Sequence, residues 1–191
     1  SPTGSGKTVA FLLSVLQALN KDIKTVQCLI IVPSRELALQ IEQVWKKMGT
    51  KWKVNVCYGG HSIDIELKNL SNPPSLLIGT PGRLVDHLER RSFDTDSIKI
   101  LVLDEFDKSL QLGFQEEMRI IMSQLPNLNK RILLSATSQI EIPSFIEMED
   151  AKLLDFTTNE SIPTLTIKQV LSPDKDKIET LQSPRSCRTH Q

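Results

Sequence analysis

"ILVLDEFD", residues 100–107, decides the fold. Four apolar residues, Ile100 to Leu103, run without interruption and stop at a carboxylate. A run that is apolar on both faces suits a strand covered on both sides, the habit of parallel sheets packed between helices. The run extends as "IKILVLDE" (98–105), and four others repeat the design: "CLIIVP" (28–33), "VNVCYGG" (54–60), "SLLIGTP" (75–81) and "RILLSAT" (131–137). Segments with helical spacing lie among them: "KTVAFLLSVLQALN" (7–20), "SRELALQIEQVWKKMG" (34–49), "DIELKNL" (64–70), "GRLVDHLERR" (82–91) and "FQEEMRIIMSQL" (114–125). This alternation predicts right-handed βαβ crossovers and an α/β fold with a doubly wound, mostly parallel sheet.

Each strand ends in a small or polar cluster: "PSRE", "GGHS", "GTPGR", "DEFD" and "SATS". Ligands of such folds bind outside the carboxyl ends of the strands, so the five clusters are expected to converge on one edge of the sheet. After about residue 138 the pattern weakens. "IPSFIEME" (142–149) reads as a short helix, "KLLDFT" (152–157) as a short strand, and "QSPRSCRTHQ" (182–191) as a loose end.

Composition sets the outer limits. The chain has 191 residues, 39% hydrophobic and 24% charged, which suits a globular domain of ordinary size. Aromatics are 5%, so Leu, Ile and Val must fill the core. Lys plus Arg and Asp plus Glu are 23 each, so the total does not mark a strongly basic nucleic-acid binder. Three widely spaced cysteines, Cys28, Cys57 and Cys187, show no metal spacing and no disulfide framework. They point to a reducing, intracellular compartment, the cytoplasm or a nucleus. No apolar run reaches the length of a membrane span, so no membrane partner is expected.

Two stretches carry chemistry. "SPTGSGKT" (1–8) fits the phosphate-loop pattern at Gly6, Lys7 and Thr8, with Ser1 in place of the first glycine. Its nucleotide-binding residues are Thr3, Gly4, Ser5, Gly6, Lys7 and Thr8. Gly4 and Gly6 let backbone N–H groups turn inward onto phosphate oxygens. Lys7 supplies positive charge to the β and γ phosphates, Thr8 offers a hydroxyl to Mg²⁺, and the next helix points its N-terminus at the anion. Asp104 and Glu105 follow an apolar strand in the same array. One carboxylate there can hold Mg²⁺ and the next can orient or deprotonate an attacking water. Either stretch alone has a plain alternative, a capped turn or an acidic strand end; together they indicate a nucleotide·Mg²⁺ site with Lys7, Asp104 and Glu105 as the catalytic set and Thr8 and Asp104 toward the metal. A GTPase would carry Asn-Lys-x-Asp, which "NKRI" (129–132) fails.

The ordered set of motifs resembles the DEAD-box family of ATP-dependent RNA helicases over roughly residues 1–140. "SPTGSGKT" is similar to the family's phosphate loop, "PSRELALQ" (33–40), "GG" (59–60) and "TPGR" (80–83) to its RNA-contact motifs, "DEFD" (104–107) to its signature, and "SAT" (135–137) to its coupling motif. The resemblance implies a RecA-like P-loop NTPase domain. It implies that Pro33, Arg35, Gly60, Thr80, Gly82 and Arg83 lie along an RNA sugar–phosphate backbone, with little sequence preference. It also implies that Asp107, Ser135 and Thr137 connect the ATP site to RNA through hydrogen bonds. Alternatives stay open residue by residue: Arg35 can pair with Glu36 or Glu42 on its own helix, and Thr80 and Gly82 can simply cap the next one with Pro81 in its first turn. Phe106 stands where the family has Ala, and a side chain that large needs room near the active edge.

The resemblance further implies an adenine-recognition segment and a first strand before Ser1, and a second helicase domain supplying arginine fingers. The expectation is therefore an N-terminally truncated first RecA-like domain at 1–160, its first strand missing. Residues 161–191 are expected to be a linker and the start of the missing second domain, ending in a loose tail. The leading function is an ATP-binding domain of an RNA helicase, with hydrolysis and unwinding requiring the second domain. The alternatives are a non-catalytic RNA- or partner-binding module, and a P-loop ATPase acting on DNA or protein.

Overall fold

The computed structural model describes residues 6–137, 141–148 and 151–154, together with the backbone of 169–170 and 187–188. The chain divides into two compact units, Ser1–Thr157 and Thr158–Gln191.

The first unit is built on five strands: β1 (Cys28–Ile31), β2 (Val54–Cys57), β3 (Leu76–Gly79), β4 (Ile100–Leu103) and β5 (Lys130–Leu133). Every pairing is parallel, and the spatial order is β2-β3-β1-β4-β5. The register is even across the sheet, with Cys28 opposite both Leu76 and Ile100. β1, β3 and β4 are buried at all four positions, whereas β2 and β5, at the two sides of the sheet, are partly open. That is why the three central runs are the most uniformly apolar in the sequence.

Among the described residues six α-helices precede or connect the strands: α1 (Lys7–Ala18), α2 (Arg35–Lys47), α3 (Ile63–Leu70), α4 (Pro81–Glu89), α5 (Phe106–Gln111) and α6 (Gln115–Ser123). Alternate strand residues feed two cores. Cys28, Ile30 and Val32 join the layer of α1 and α2, where Leu12, Ile41 and Trp45 are buried. Leu29 and Ile31 join the opposite layer, where Leu84 of α4 and Met118 and Ile121 of α6 are buried. Polar caps fix where helices start. The Ser34 hydroxyl accepts the Leu37 N–H at 3.2 Å and opens α2, and Lys46 and Lys47 in its last turn complement the dipole.

Three differences from the sequence reading have physical causes. The ladders stop short of the predicted strand ends, because Pro33, Tyr58 to Gly60, Thr80 and Asp104 leave the sheet as the turns of the site. α5 follows β4 where the sequence reading places no helix, and at six residues it is too short to show a period. Residues 144–146 form a single 3-10 turn where a short helix is expected, and Lys152 to Leu154 are in no strand.

Gly79 ends β3 in a space that only glycine fits: a Cβ there would lie 2.6 Å from Leu84 Cγ and 2.9 Å from the Cys57 carbonyl. Cys28 and Cys57 are free, buried thiols, and burial pushes both well above the usual thiol range. In the second unit, Gln169–Val170 pairs antiparallel with Cys187–Arg188. No helix among the described residues is long and apolar enough to cross a membrane.

Candidate functional site: an acidic corner and a basic turn on one sheet edge

Because every strand runs the same way, all five carboxyl ends open on one edge. The predicted residues gather there in two groups.

The acidic group follows β4 and faces the start of α1. Gly6 caps α1 in a left-handed conformation, φ 79°, and Lys7 begins the helix. Thr8 is half-buried in the first turn; Thr3, Gly4 and Ser5 lie outside the described residues. Asp104 is 7% exposed. Burial raises its carboxyl above the usual range, with the Glu105 and Asp107 carboxylates adding to that, while the Glu105 N–H at 2.9 Å and the Lys7 charge act against it. Lys7 and Asp104 are thus close enough to feel each other across the corner.

Glu105 sits at φ 47°, ψ 48°, a left-handed conformation that a non-glycine residue rarely adopts. Strain of this kind collects at functional sites. It turns the chain sharply from β4 into α5, and Lys108 reaches back to the Glu105 carboxylate at 3.0 Å. The Phe106 N–H donates to the Leu134 carbonyl at 3.0 Å, tying the corner to the end of β5. The Phe106 ring has its room in the core, 1% exposed, in the same cluster as Leu103, Met118 and Ile146. Asp107 is buried, and its Oδ1 has no hydrogen-bond partner. Ser135 Oγ accepts the Thr137 N–H at 3.0 Å and donates to the Thr137 carbonyl at 2.9 Å. Among the described residues no hydrogen bond joins Asp107 to either of them.

The basic group follows β1, β2 and β3. Pro33 is buried as the chain turns into α2. Arg35 is exposed and pairs with neither Glu36 nor Glu42: its guanidinium lies 5.0 Å over the Tyr58 ring, while Glu42 takes Lys46 at 2.8 Å. Gly60 stands exposed at φ 95° in the turn after β2. Thr80 does cap α4, with Pro81 in the first turn, yet its hydroxyl makes no capping bond. Gly82 is exposed, and a Cβ there would meet nothing within 4 Å. The fold demands glycine at Gly79 but not at Gly82, where the absence of a side chain leaves the backbone open to solvent. Arg83 behaves differently from its neighbours. Only 12% exposed, it turns inward, donating to the carbonyls of Tyr58 (3.1 Å) and His61 (2.7 Å) and pairing with Glu66 at 3.3 Å.

Sequence reasoning missed Glu66, His87, Tyr58 and His61. A signal existed for two of them. Glu66 and His87 occupy apolar-stripe positions on their helices, three or four residues from Ile63 and Leu70 and from Leu84, so each predicts a buried polar group in need of a partner.

With this geometry in hand, comparison with known proteins gives a consistent answer. Residues 1–144 match the DEAD/DEAH box helicase family. The ATP-dependent RNA helicase DeaD of Escherichia coli (strain K12) is 44% identical over 138 residues, 71% of this chain and 22% of that protein. The ATP-dependent RNA helicase eIF4A of Botryotinia fuckeliana is 44% identical over 137 residues, 71% of this chain and 34% of that protein. The chain therefore spans between about a fifth and about a third of the length of these relatives. A crystal structure of a hypothetical ATP-dependent RNA helicase from Sulfolobus tokodaii superposes with a TM-score of 0.65 at 31% identity, covering 77% of this chain and 42% of that one. The parallel sheet, the two groups on its edge and these matches agree: the chain belongs to the DEAD/DEAH box helicase family.

Proposed function

We propose that this chain is the ATP-binding domain of an ATP-dependent RNA helicase, taking ATP·Mg²⁺ at the acidic corner and an RNA backbone along the basic turns. The observation that carries this reading is a desolvated Asp104 carboxylate that feels the Lys7 charge, on the same strand edge that presents Arg35, Gly60, Thr80 and Gly82.

The residues fit the nucleotide complex. Asp107 Oδ1 is a buried acceptor without a partner, and Asp104 is a buried carboxylate held above its usual pKa. Both states are costly without a cation or a donor and are relieved by one. Mg²⁺ would supply Lewis acidity and charge neutralisation at the transferred phosphoryl group. Lys7 and the α1 N-terminus, with Thr3, Gly4, Ser5 and Gly6 before it, would hold the phosphates. Thr8 and Asp104 would face the metal. Glu105 would take a proton from the attacking water, its strained backbone fixing where the carboxylate points.

The RNA side would make contacts to phosphate and sugar from Pro33, Arg35, Gly60, Thr80 and Gly82, with Arg83 along the same backbone path but turned inward onto the Tyr58 and His61 carbonyls. Such contacts ignore base identity, so little sequence preference follows. Asp107, Ser135 and Thr137 would link the two ligands once both are bound, the free Asp107 oxygen being the group that waits for a donor. Turnover would also draw on a second helicase domain closing over the edge, and the reaction would take place inside the cell, in the cytoplasm or a nucleus, where RNA and ATP are found together.

The test is RNA-stimulated ATP hydrolysis by the full-length protein, with Lys7→Ala beside it. Hydrolysis that rises with RNA and vanishes in the variant supports the enzyme. RNA binding that ignores nucleotide and survives Lys7→Ala would replace it with a non-catalytic module.

A further inference from the structure

The two-glycine turn Tyr58–His61 presents Gly59 and Gly60 outward, with both exposed. Two adjacent glycines leave a turn with more conformational freedom than any other pair, and ordering it on binding would cost affinity. Yet the turn is bonded at both ends to one buried ion pair. The Glu66 carboxylate, 2% exposed, accepts the Tyr58 N–H at 3.0 Å and faces His61 Nε2 at 2.9 Å through the same oxygen. Its other oxygen faces His87 Nε2 at 2.6 Å and Arg83 Nε at 3.3 Å. Arg83 closes the loop by donating to the Tyr58 and His61 carbonyls. Asp86, 3.5 Å from Arg83, steadies its far side.

We propose that Glu66 is a positioning residue for RNA: through Arg83 and the two imidazoles it holds the Tyr58–His61 turn in the one shape that meets the sugar–phosphate backbone. This rests on reading Gly60 and its neighbours as the RNA edge. The pair explains why Arg83 faces inward. It contributes to RNA binding through the shape of the turn and the carbonyls it holds out of the ligand's way, leaving the backbone of Gly59 and Gly60 on the outside. Arg35, stacked on Tyr58, is aimed by the same turn, because the Tyr58 backbone is fixed at both its N–H and its carbonyl. Cys57, Glu66 and His87 also bring one donor atom each within 4.8 Å of one another, as a metal site would. The Arg83 guanidinium is already the cation of that cluster, and the carboxylate is already shared among four donors.

The two ligand affinities are separable, which makes the proposal testable in the full-length protein. The quantities to measure are the RNA concentration for half-maximal stimulation of ATP hydrolysis, the KM for ATP, kcat at saturating RNA, and Tm. Glu66→Ala is expected to raise the RNA half-saturation about 10-fold or more, the loss of a charged hydrogen-bonding hub, with kcat and the ATP KM within about 2-fold. Glu66→Gln keeps an acceptor for the Tyr58 N–H but loses the charge facing Arg83, so about a 3-fold rise is expected, and it serves if the alanine variant does not fold. Glu66→Gln combined with Arg83→Gln should be no worse than the more damaging of the two single variants, because both break one unit.

Unchanged RNA half-saturation in both Glu66 variants overturns the proposal. So does a loss of RNA and ATP affinity in step with a falling Tm, which marks a residue that only holds the fold together. Wild-type protein that hydrolyses ATP without any response to RNA removes the RNA reading of the whole edge, and this inference with it; a wild type that responds while the variants behave like it removes this inference alone.

Discussion

The two halves of the strand-end edge are built differently. On the basic side the charged groups have partners inside the protein, though the Nδ1 atoms of His61 and His87 have none: Glu66 is shared by four donors, Arg83 makes three kinds of contact, and Arg35 rests on Tyr58. On the acidic side the groups are left wanting: Asp104 is desolvated, an Asp107 oxygen has no partner, and Glu105 is held in a rarely populated backbone conformation. The difference follows from what each half would receive. A long, flexible polyanion rewards a surface shaped in advance, because every residue ordered on binding costs affinity. A small, dense charge such as a metal–phosphate complex rewards unsatisfied groups, because it repays their desolvation on arrival.

That contrast can be broken or sharpened by substitution. The largest effect is expected where the acidic corner leans on the core. Phe106→Ala empties a fully buried site and should cost about 3–5 kcal/mol in denaturant unfolding. A much smaller loss would mean that the corner is not anchored there. Next comes Asp104→Asn, expected to lower ATP hydrolysis on the order of 10²–10³-fold while leaving RNA affinity without nucleotide unchanged. The same variant carries a pH signature. Since the folded-state pKa of Asp104 is raised, its favourable contribution is fully present below the unfolded carboxyl value and is lost as pH rises through the folded one. The asparagine cannot suffer that loss, so its stability relative to wild type should climb from acid toward neutral pH. A flat difference between the two melting curves across that range would remove desolvation from the account.

Smaller still is a pair of glycines. Gly79→Ala forces a Cβ against Leu84 and the Cys57 carbonyl and should cost about 1–3 kcal/mol of stability. Gly82→Ala meets nothing in the protein, so its Tm should stay close to wild type. RNA affinity, measured by polarisation of a labelled oligonucleotide, should fall by a few-fold as the new methyl group crowds the phosphate. Equal behaviour of the two would erase the distinction between a glycine kept for packing and one kept for a ligand.

The sheet and most helices were legible in the sequence because burial on both faces leaves uninterrupted apolar runs, and Cys28 to Ile31, Leu76 to Gly79 and Ile100 to Leu103 have no other way to satisfy their environment. The positions where those runs stop were legible too, since Asp104 or Thr80 cannot continue a core strand. What periodicity could not show was which strand-end residues touch. Glu66 and His87 are 21 residues apart and meet only after β3 has been laid beside β2, and nothing local in either helix names the other as its partner. The partners of Arg83 were hidden for the same reason. Its inward turn depends on carbonyls of a loop 22 and 25 residues earlier in the chain.

The two buried thiols give the sheet a built-in clock. Cys28 starts the central strand between β3 and β4, and Cys57 ends the outer strand β2. Buried and held protonated, neither can attack a disulfide reagent while the native structure is closed. Labelling at each one, resolved by peptide mass, therefore counts openings rather than collisions. Cys28 reports excursions of the whole sheet and Cys57 those of its border, so the ratio of the two rates measures how far the β2 side can loosen while the centre stays shut.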